Sequence, residues 1–210
     1  MKNNNNKVSA PDHELIIVNE RYINKEVRSF HIRETGVFSI KRFITDNDGN
    51  ELFKYTLTRK GSVLFDKNKE PILNIIINIK GNKEMNIYSG QGNEKILSTI
   101  TINKNNPYGE RHYTATFINK DTGLEEKLNI IYHQFTNDYN IYYNMNMKNE
   151  SMICHIIRSG RKYSLEISPL VDYAYILAIN FCFLKLSDIE ERESFEQTHL
   201  ENAPSQYQYY

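Results

Sequence analysis

The chain of 210 residues sets 26 Lys and Arg against 26 Asp and Glu, so its formal net charge is zero; 40% of it is hydrophobic and 12% aromatic. That length gives one full-sized domain room for a substantial core, and the charge balance excludes a chain that grips nucleic acid through overall basicity. Its two cysteines, Cys154 and Cys182, support neither a disulfide framework nor a four-thiolate zinc site; they read as small buried hydrophobes in a reducing compartment.

Residues 1–7 are polar and Asn-rich, with no apolar stretch of a secretory signal and no Gly at position 2 for myristoylation. Residues 1–12 are therefore expected to form a disordered polar segment, and the protein to be cytoplasmic. Beyond it the dominant signal is alternation with period two. Phe53, Tyr55 and Leu57 alternate with Lys54, Thr56 and Thr58; Tyr139, Ile141, Tyr143, Met145 and Met147 alternate with Asn140, Tyr142, Asn144 and Asn146; Tyr163, Leu165 and Ile167 alternate with Ser164 and Glu166. Successive side chains of a strand point to opposite faces, so these runs predict half-buried strands. Strands are expected near 27–33, 37–45, 51–58, 62–66, 72–80, 85–89, 95–102, 112–119, 126–135, 139–147, 152–158 and 162–168, with 14–18 as an extra one. The connections are short and rich in Gly, Asn and Asp, as at Asn47-Asp48-Gly49-Asn50, which suits antiparallel hairpins.

Residues 170–186 break the alternation and are nearly all apolar. Ser168 suits an N-cap, Pro169 the first helical position, and Asp172 the first turn, where the helix dipole favours a carboxylate. At about 1.5 Å per residue the helix is roughly 25 Å long. It is apolar on every face, so it is buried all round or embedded in a bilayer. A stretch of about 17 residues, against the roughly 20 mostly apolar ones needed to span, with Asp172, Asn180 and Lys185 inside it or near its ends, favours burial in protein. The expected fold is mainly β: an antiparallel barrel of about twelve strands enclosing a central hydrophobic C-terminal helix, over residues 13–186. Closure leaves no free sheet edge, and a monomer without a transmembrane segment is expected. Residues 187–210 hold six acids and one base and are expected to be a flexible acidic tail ending in Tyr207-Gln208-Tyr209-Tyr210, with at most a short helix near 188–196; the preceding 186 residues carry the balancing +5.

Four segments carry a resemblance. They are Ile44-Thr45-Asp46-Asn47-Asp48-Gly49-Asn50-Glu51-Leu52-Phe53, Leu64-Phe65-Asp66-Lys67-Asn68-Lys69-Glu70-Pro71-Ile72-Leu73, Ile87-Tyr88-Ser89-Gly90, and Tyr163-Ser164-Leu165-Glu166-Ile167-Ser168-Pro169-Leu170-Val171-Asp172-Tyr173-Ala174. In order they resemble two early hairpins, a strand running into a glycine turn, and the entry to the central helix in the LURP-one-related group of the tubby C-terminal-like superfamily, which also includes the phospholipid scramblases. Leu170 stands where the family usually carries Gly, and Lys69-Glu70-Pro71 where Asp-x-x-Gly-x-Pro is usual. The resemblance implies a twelve-stranded barrel around a hydrophobic helix, and the phosphoinositide binding known of tubby-type domains.

Catalytic signatures are missing. The six His residues are scattered, and there is no nucleophile elbow, P-loop or dinucleotide fingerprint. Asp46-Asn47-Asp48-Gly49-Asn50 lacks calcium-loop spacing and reads as a hairpin turn. No enzyme activity, metal or cofactor is expected. Basic residues at strand ends, Lys41, Arg42, Arg59, Lys60, Arg158, Arg161 and Lys162, form the candidate site for phosphorylated lipid heads, weighed against ordinary solvated charge. Ser168, Pro169 and Asp172 are assigned to the helix entry. The leading functional reading is a non-enzymatic barrel that binds phosphoinositide or other anionic lipid heads, or a protein partner, peripherally at a membrane. The alternatives are scramblase-like phospholipid transport, which needs residues 170–186 to enter the bilayer, and a pure protein-interaction or structural module.

Overall fold

A computed structural model describes residues 7–34, 41–58, 61–78, 84–105, 109–133, 136, 138–160 and 162–201. Twelve strands follow one another: β1 (Arg28–Glu34), β2 (Lys41–Thr45), β3 (Glu51–Thr58), β4 (Gly61–Asp66), β5 (Pro71–Asn78), β6 (Glu84–Ser89), β7 (Ile96–Asn105), β8 (Glu110–Ile118), β9 (Glu125–His133), β10 (Asp138–Tyr143), β11 (Ser151–Ser159) and β12 (Lys162–Ile167). Each pairs antiparallel with its sequence neighbours, and β1 pairs with β12, which closes the barrel. Most inward positions are apolar and fall opposite one another across strands: Phe30 faces Leu165, and Leu64 faces both Tyr55 and Leu73, all buried.

The strand expected over 139–147 stops at Tyr143. Asn144 and Asn146 adopt left-handed backbone, at φ 51° and 65°, a conformation that Asn tolerates and a strand does not, and Met147 is exposed. The extra strand at 14–18 reduces to one bridge, Leu15 with Val171. Residues 7–12 lie against the barrel rather than forming a free polar segment. Val8 is buried, the Ser9 N–H donates to the Met152 carbonyl at 2.9 Å, and Ser151 Oγ donates to the Ala10 carbonyl at 3.1 Å. Residues 1–6 lie outside the described residues.

The helix α1 spans Tyr173–Glu201, 29 residues, or about 43 Å. Its start differs from the expectation. Leu170 sits at φ 64°, which no α-helix accommodates, so Ser168 is not the N-cap and Pro169 is not the first helical residue. Asp172 is the cap instead of a first-turn residue: its Oδ1 accepts the Tyr175 N–H at 3.2 Å and its carbonyl accepts the Ile176 N–H at 3.2 Å. The helix also runs past Leu186 to Glu201, through the stretch expected to be a flexible tail; residues 202–210 lie outside the described residues.

Residues 173–184 are buried on every side. Tyr173 meets Phe30 of β1 and Phe53 of β3, Tyr175 meets Phe117 of β8, Phe181 stacks on Tyr55 of β3 at 3.9 Å, and Phe183 meets Tyr113 of β8 and Tyr139 of β10. Contacts from opposite walls put the helix on the barrel axis. Two of its buried polar atoms find partners there: Tyr175 Oη lies 2.7 Å from Ser98 Oγ, and Asn180 Oδ1 accepts from Tyr139 Oη. Among the described residues, no helix is long and apolar enough to cross a membrane.

The hairpin turns after β2 and after β4 share one device. Asp46 Oδ1 accepts the N–H groups of Asp48 and Asn50 at 3.0 and 2.9 Å, and Asp66 Oδ1 accepts those of Asn68 and Glu70, both at 2.9 Å. The left-handed residue is Gly49 in the first, at φ 84°, and Lys69 in the second, at φ 66°. The exposed Lys69 thus bears a strain that Gly avoids. Lys69→Gly is expected to stabilise by about 0.5–1 kcal/mol, the strain relieved less the extra freedom of the unfolded chain. A raised midpoint in thermal melts is the expected reading; an unchanged or lowered one contradicts the strain.

Candidate functional site

The barrel has two unlike ends. The turns 46–50, 66–71, 119–124 and 144–150 ring the end where α1 enters, and the C-terminal ends of β1, β3 and β11 mark the end where it leaves. A strap before β1 closes the entry end. Its Leu15 N–H donates to the Leu170 carbonyl at 2.8 Å, and the Asp172 N–H returns to the Leu15 carbonyl at 3.1 Å. Asp172 Oδ2 accepts the N–H groups of Ile17, Val18 and Asn19 at 3.2, 2.6 and 3.2 Å. Asn119 holds the strap from the opposite side, accepting the Ile16 N–H at 3.0 Å and donating to the Glu14 carbonyl at 2.9 Å. Asp172 is wholly buried. Burial pushes its carboxyl up to about 6, against the pull of four backbone N–H groups from Val18, Tyr175, Asn19 and Ile17. The carboxylate ties strap, entry turn and helix together.

The basic candidates divide between two faces. Arg42 alternates with Lys41 and shares the inward parity of Ile44; it is 6% exposed and registers opposite Glu34 and Tyr55. Arg158 registers opposite the inward Tyr163, its guanidinium 5.5 Å from that ring and its Nε donating to the Gly160 carbonyl at 3.1 Å. Both therefore belong to the inner face at the exit end. Lys41 and Lys162 are exposed on the outer face. Arg59, Lys60 and Arg161 lie outside the described residues.

The outer wall adds two cations that the sequence pattern alone does not single out. Lys162 of β12 registers opposite Arg33 of β1, Arg33 opposite Phe43 of β2, and Phe43 opposite Lys54 of β3. With strands about 4.8 Å apart, this row is roughly 14 Å wide. Lys54 Nζ lies 6.0 Å from the centroid of the Phe43 ring, which is half-buried in the wall. Lys41 lies two residues before Phe43 on the same face. Arg33 and Lys162 put like charges directly opposite, which disfavours the pair unless an anion lies over it. Hairpin parity assigns each residue a face, but only the register assembles the row.

Among the described residues, the remaining groups form no catalytic arrangement. Burial pushes the thiols of Cys154 and Cys182 up, away from thiolate chemistry. His155 Nδ1 lies 2.5 Å from Asn140 Oδ1, and His13 sits between Asp12 and Glu126 at 2.8 and 3.1 Å. Among the described residues, no group of three or more His, Cys, Asp or Glu side chains is placed to hold a metal ion.

The family profile described as LURP-one-related matches residues 28–184, from the first residue of β1 to the buried part of α1. Among solved structures, the X-ray structure of the Arabidopsis thaliana protein AT5G01750 is similar, at 17% identity and a TM-score of 0.50, over 83% of this chain and 99% of that one. That likeness speaks for the fold alone. No curated protein matches the chain.

Proposed function

The chain belongs to the LURP-one-related family, and from that premise we propose that it is a non-enzymatic barrel that docks its outer wall on anionic lipid head groups, phosphoinositides among them, at a membrane surface. The observation that carries this reading is the row Lys162, Arg33, Phe43 and Lys54 across four adjacent strands. Three cations and one aromatic ring in a row of register partners present a positive strip, with Lys41 beside it. Lys and Arg bind head-group phosphates by charge-assisted hydrogen bonds, and a half-buried Phe beside them suits the interface. Scramblase-like transport would need α1 to leave the barrel and expose residues 173–184, all of them buried.

Co-sedimentation with vesicles tests the proposal. Wild-type protein is expected to pellet with phosphatidylcholine vesicles that carry phosphoinositide or phosphatidylserine, and not with phosphatidylcholine alone. Each cation at such a surface is worth about 1 kcal/mol, so Arg33→Gln with Lys162→Gln is expected to weaken partitioning roughly thirtyfold and to flatten its salt dependence. Equal pelleting of variant and wild type refutes the row as the docking surface. A failure of wild type to pellet at low salt refutes lipid docking and leaves an acidic protein surface as the occupant of the row.

A further inference from the structure

A cavity of about 280 Å³ opens at the entry end of the barrel, away from the outer-wall row. Tyr22, Phe53 and Tyr173 are among its walls, their rings packed against one another at 5.5 to 6.1 Å. Two guanidinium groups lie over those rings. Arg28 is 4.8 Å from the centroid of Tyr173, and Arg21 is 4.8 Å from that of Tyr22. A guanidinium has five N–H donors, and lying over a ring does not use them up. Among the described residues, each meets one hydrogen-bond acceptor: Tyr22 Oη at 2.6 Å for Arg21 and Asn24 Oδ1 at 3.3 Å for Arg28. Neither forms an ion pair with a carboxylate among the described residues. Asp66 lines the cavity and Asp46 is within electrostatic reach of Arg28, but each spends a carboxylate oxygen on two N–H groups of its own turn. Lys67 adds a third cation to the walls.

We infer that this cavity is a binding site for a small aromatic carboxylic acid, its ring against Phe53 and Leu52 and its carboxylate on the N–H edges of Arg21 and Arg28. The cavity is at the small end of ligand pockets, with room for one or two fused rings and none for an acyl chain or a folded peptide. Its polarity is divided in the same way as such a ligand. Planar carboxylates match the guanidinium fork, and the cations are already held in place by the rings beneath them, so little order is lost on binding. This site is independent of the outer-wall row and of lipid docking.

The test is calorimetric titration of the full chain with naphthoate and with its neutral counterpart naphthamide. Naphthoate is expected to bind saturably at one site, and naphthamide about tenfold more weakly or worse. Arg21→Gln and Arg28→Gln are each expected to weaken naphthoate by about tenfold and leave naphthamide unchanged, while Arg33→Gln with Lys162→Gln has no effect on either. Resonance shifts at Tyr22, Leu52 and Phe53 in wild-type protein locate the site without any substitution. The inference is overturned if naphthoate shows no saturable binding, if acid and amide bind equally, or if the shifts fall elsewhere.

Discussion

Ile176→Asp leaves no cooperatively folded protein. Ile176 is fully buried one turn into α1, and neighbouring positions of the helix are buried on every side. A carboxylate there has no partner and no water. Neutralising it or drawing water into the barrel costs several kcal/mol, on top of the lost packing, against a total stability of roughly 5–15 kcal/mol for a domain. Ile176→Val at the same position costs only about 1 kcal/mol, which separates charge from shape. The expected reading is loss of the thermal transition and of near-ultraviolet dichroism in the Asp variant alone. A soluble Asp variant with a sharp melt contradicts a helix at the barrel axis.

Asp172→Ala is the second large effect, expected at about 3–5 kcal/mol. The side chain removed serves the N–H groups of Ile17, Val18, Asn19 and Tyr175. Those of Ile17 and Tyr175 are buried, so their loss is felt in full, while Val18 and Asn19 can recover water. The strap then opens from the entry end, which limited proteolysis detects as new cleavage within residues 13–24. A denaturation midpoint close to wild type contradicts the lock. Its pH dependence has a definite sign. Burial raises the carboxyl from its ordinary 3.8 to about 6, so the folded chain holds this proton more tightly than the unfolded chain. The contribution of Asp172 to stability is fullest below about pH 4 and declines as pH rises through about 6, by about 3 kcal/mol. Asp172→Asn cannot ionise, so the stability gap between it and wild type is expected to move by that amount between about pH 4 and pH 7. A constant gap contradicts the raised value.

Much of this architecture is written in residue parity. In β12, Tyr163, Leu165 and Ile167 are buried and Lys162, Ser164 and Glu166 exposed, as their alternation indicates. The turn at Gly49 is equally plain. The helix start was misleading, because Ser168-Pro169 imitates a cap; the left-handed backbone that interrupts it at Leu170 is hinted at only by the Gly usual there in the family, not by the Leu itself. The acidic stretch beyond Leu186 looked too polar to fold alone. It continues a helix whose nucleus the barrel core already holds, and extending a helix is far easier than starting one. The candidate site was half visible. Parity separates Lys41 from Arg42, yet only the pairing of β12, β1, β2 and β3 brings Arg33 and Lys54 beside Phe43. The zero net charge of the whole chain hides that arrangement: basic positions cluster on strands at the exit end, and the +5 of residues 1–186 is offset by the six acids and one base that follow Leu186.

The chain contains no Trp, so a single one reports on one wall of the barrel. Phe43→Trp places it within the cationic row, and Ile118→Trp places it at an exposed position on β8. With phosphoinositide vesicles carrying a bilayer quencher, emission from the Trp at position 43 is expected to shift to the blue and be quenched, while that at position 118 stays unchanged. Equal responses at both positions, or none at either, contradict docking through the β12–β1–β2–β3 wall.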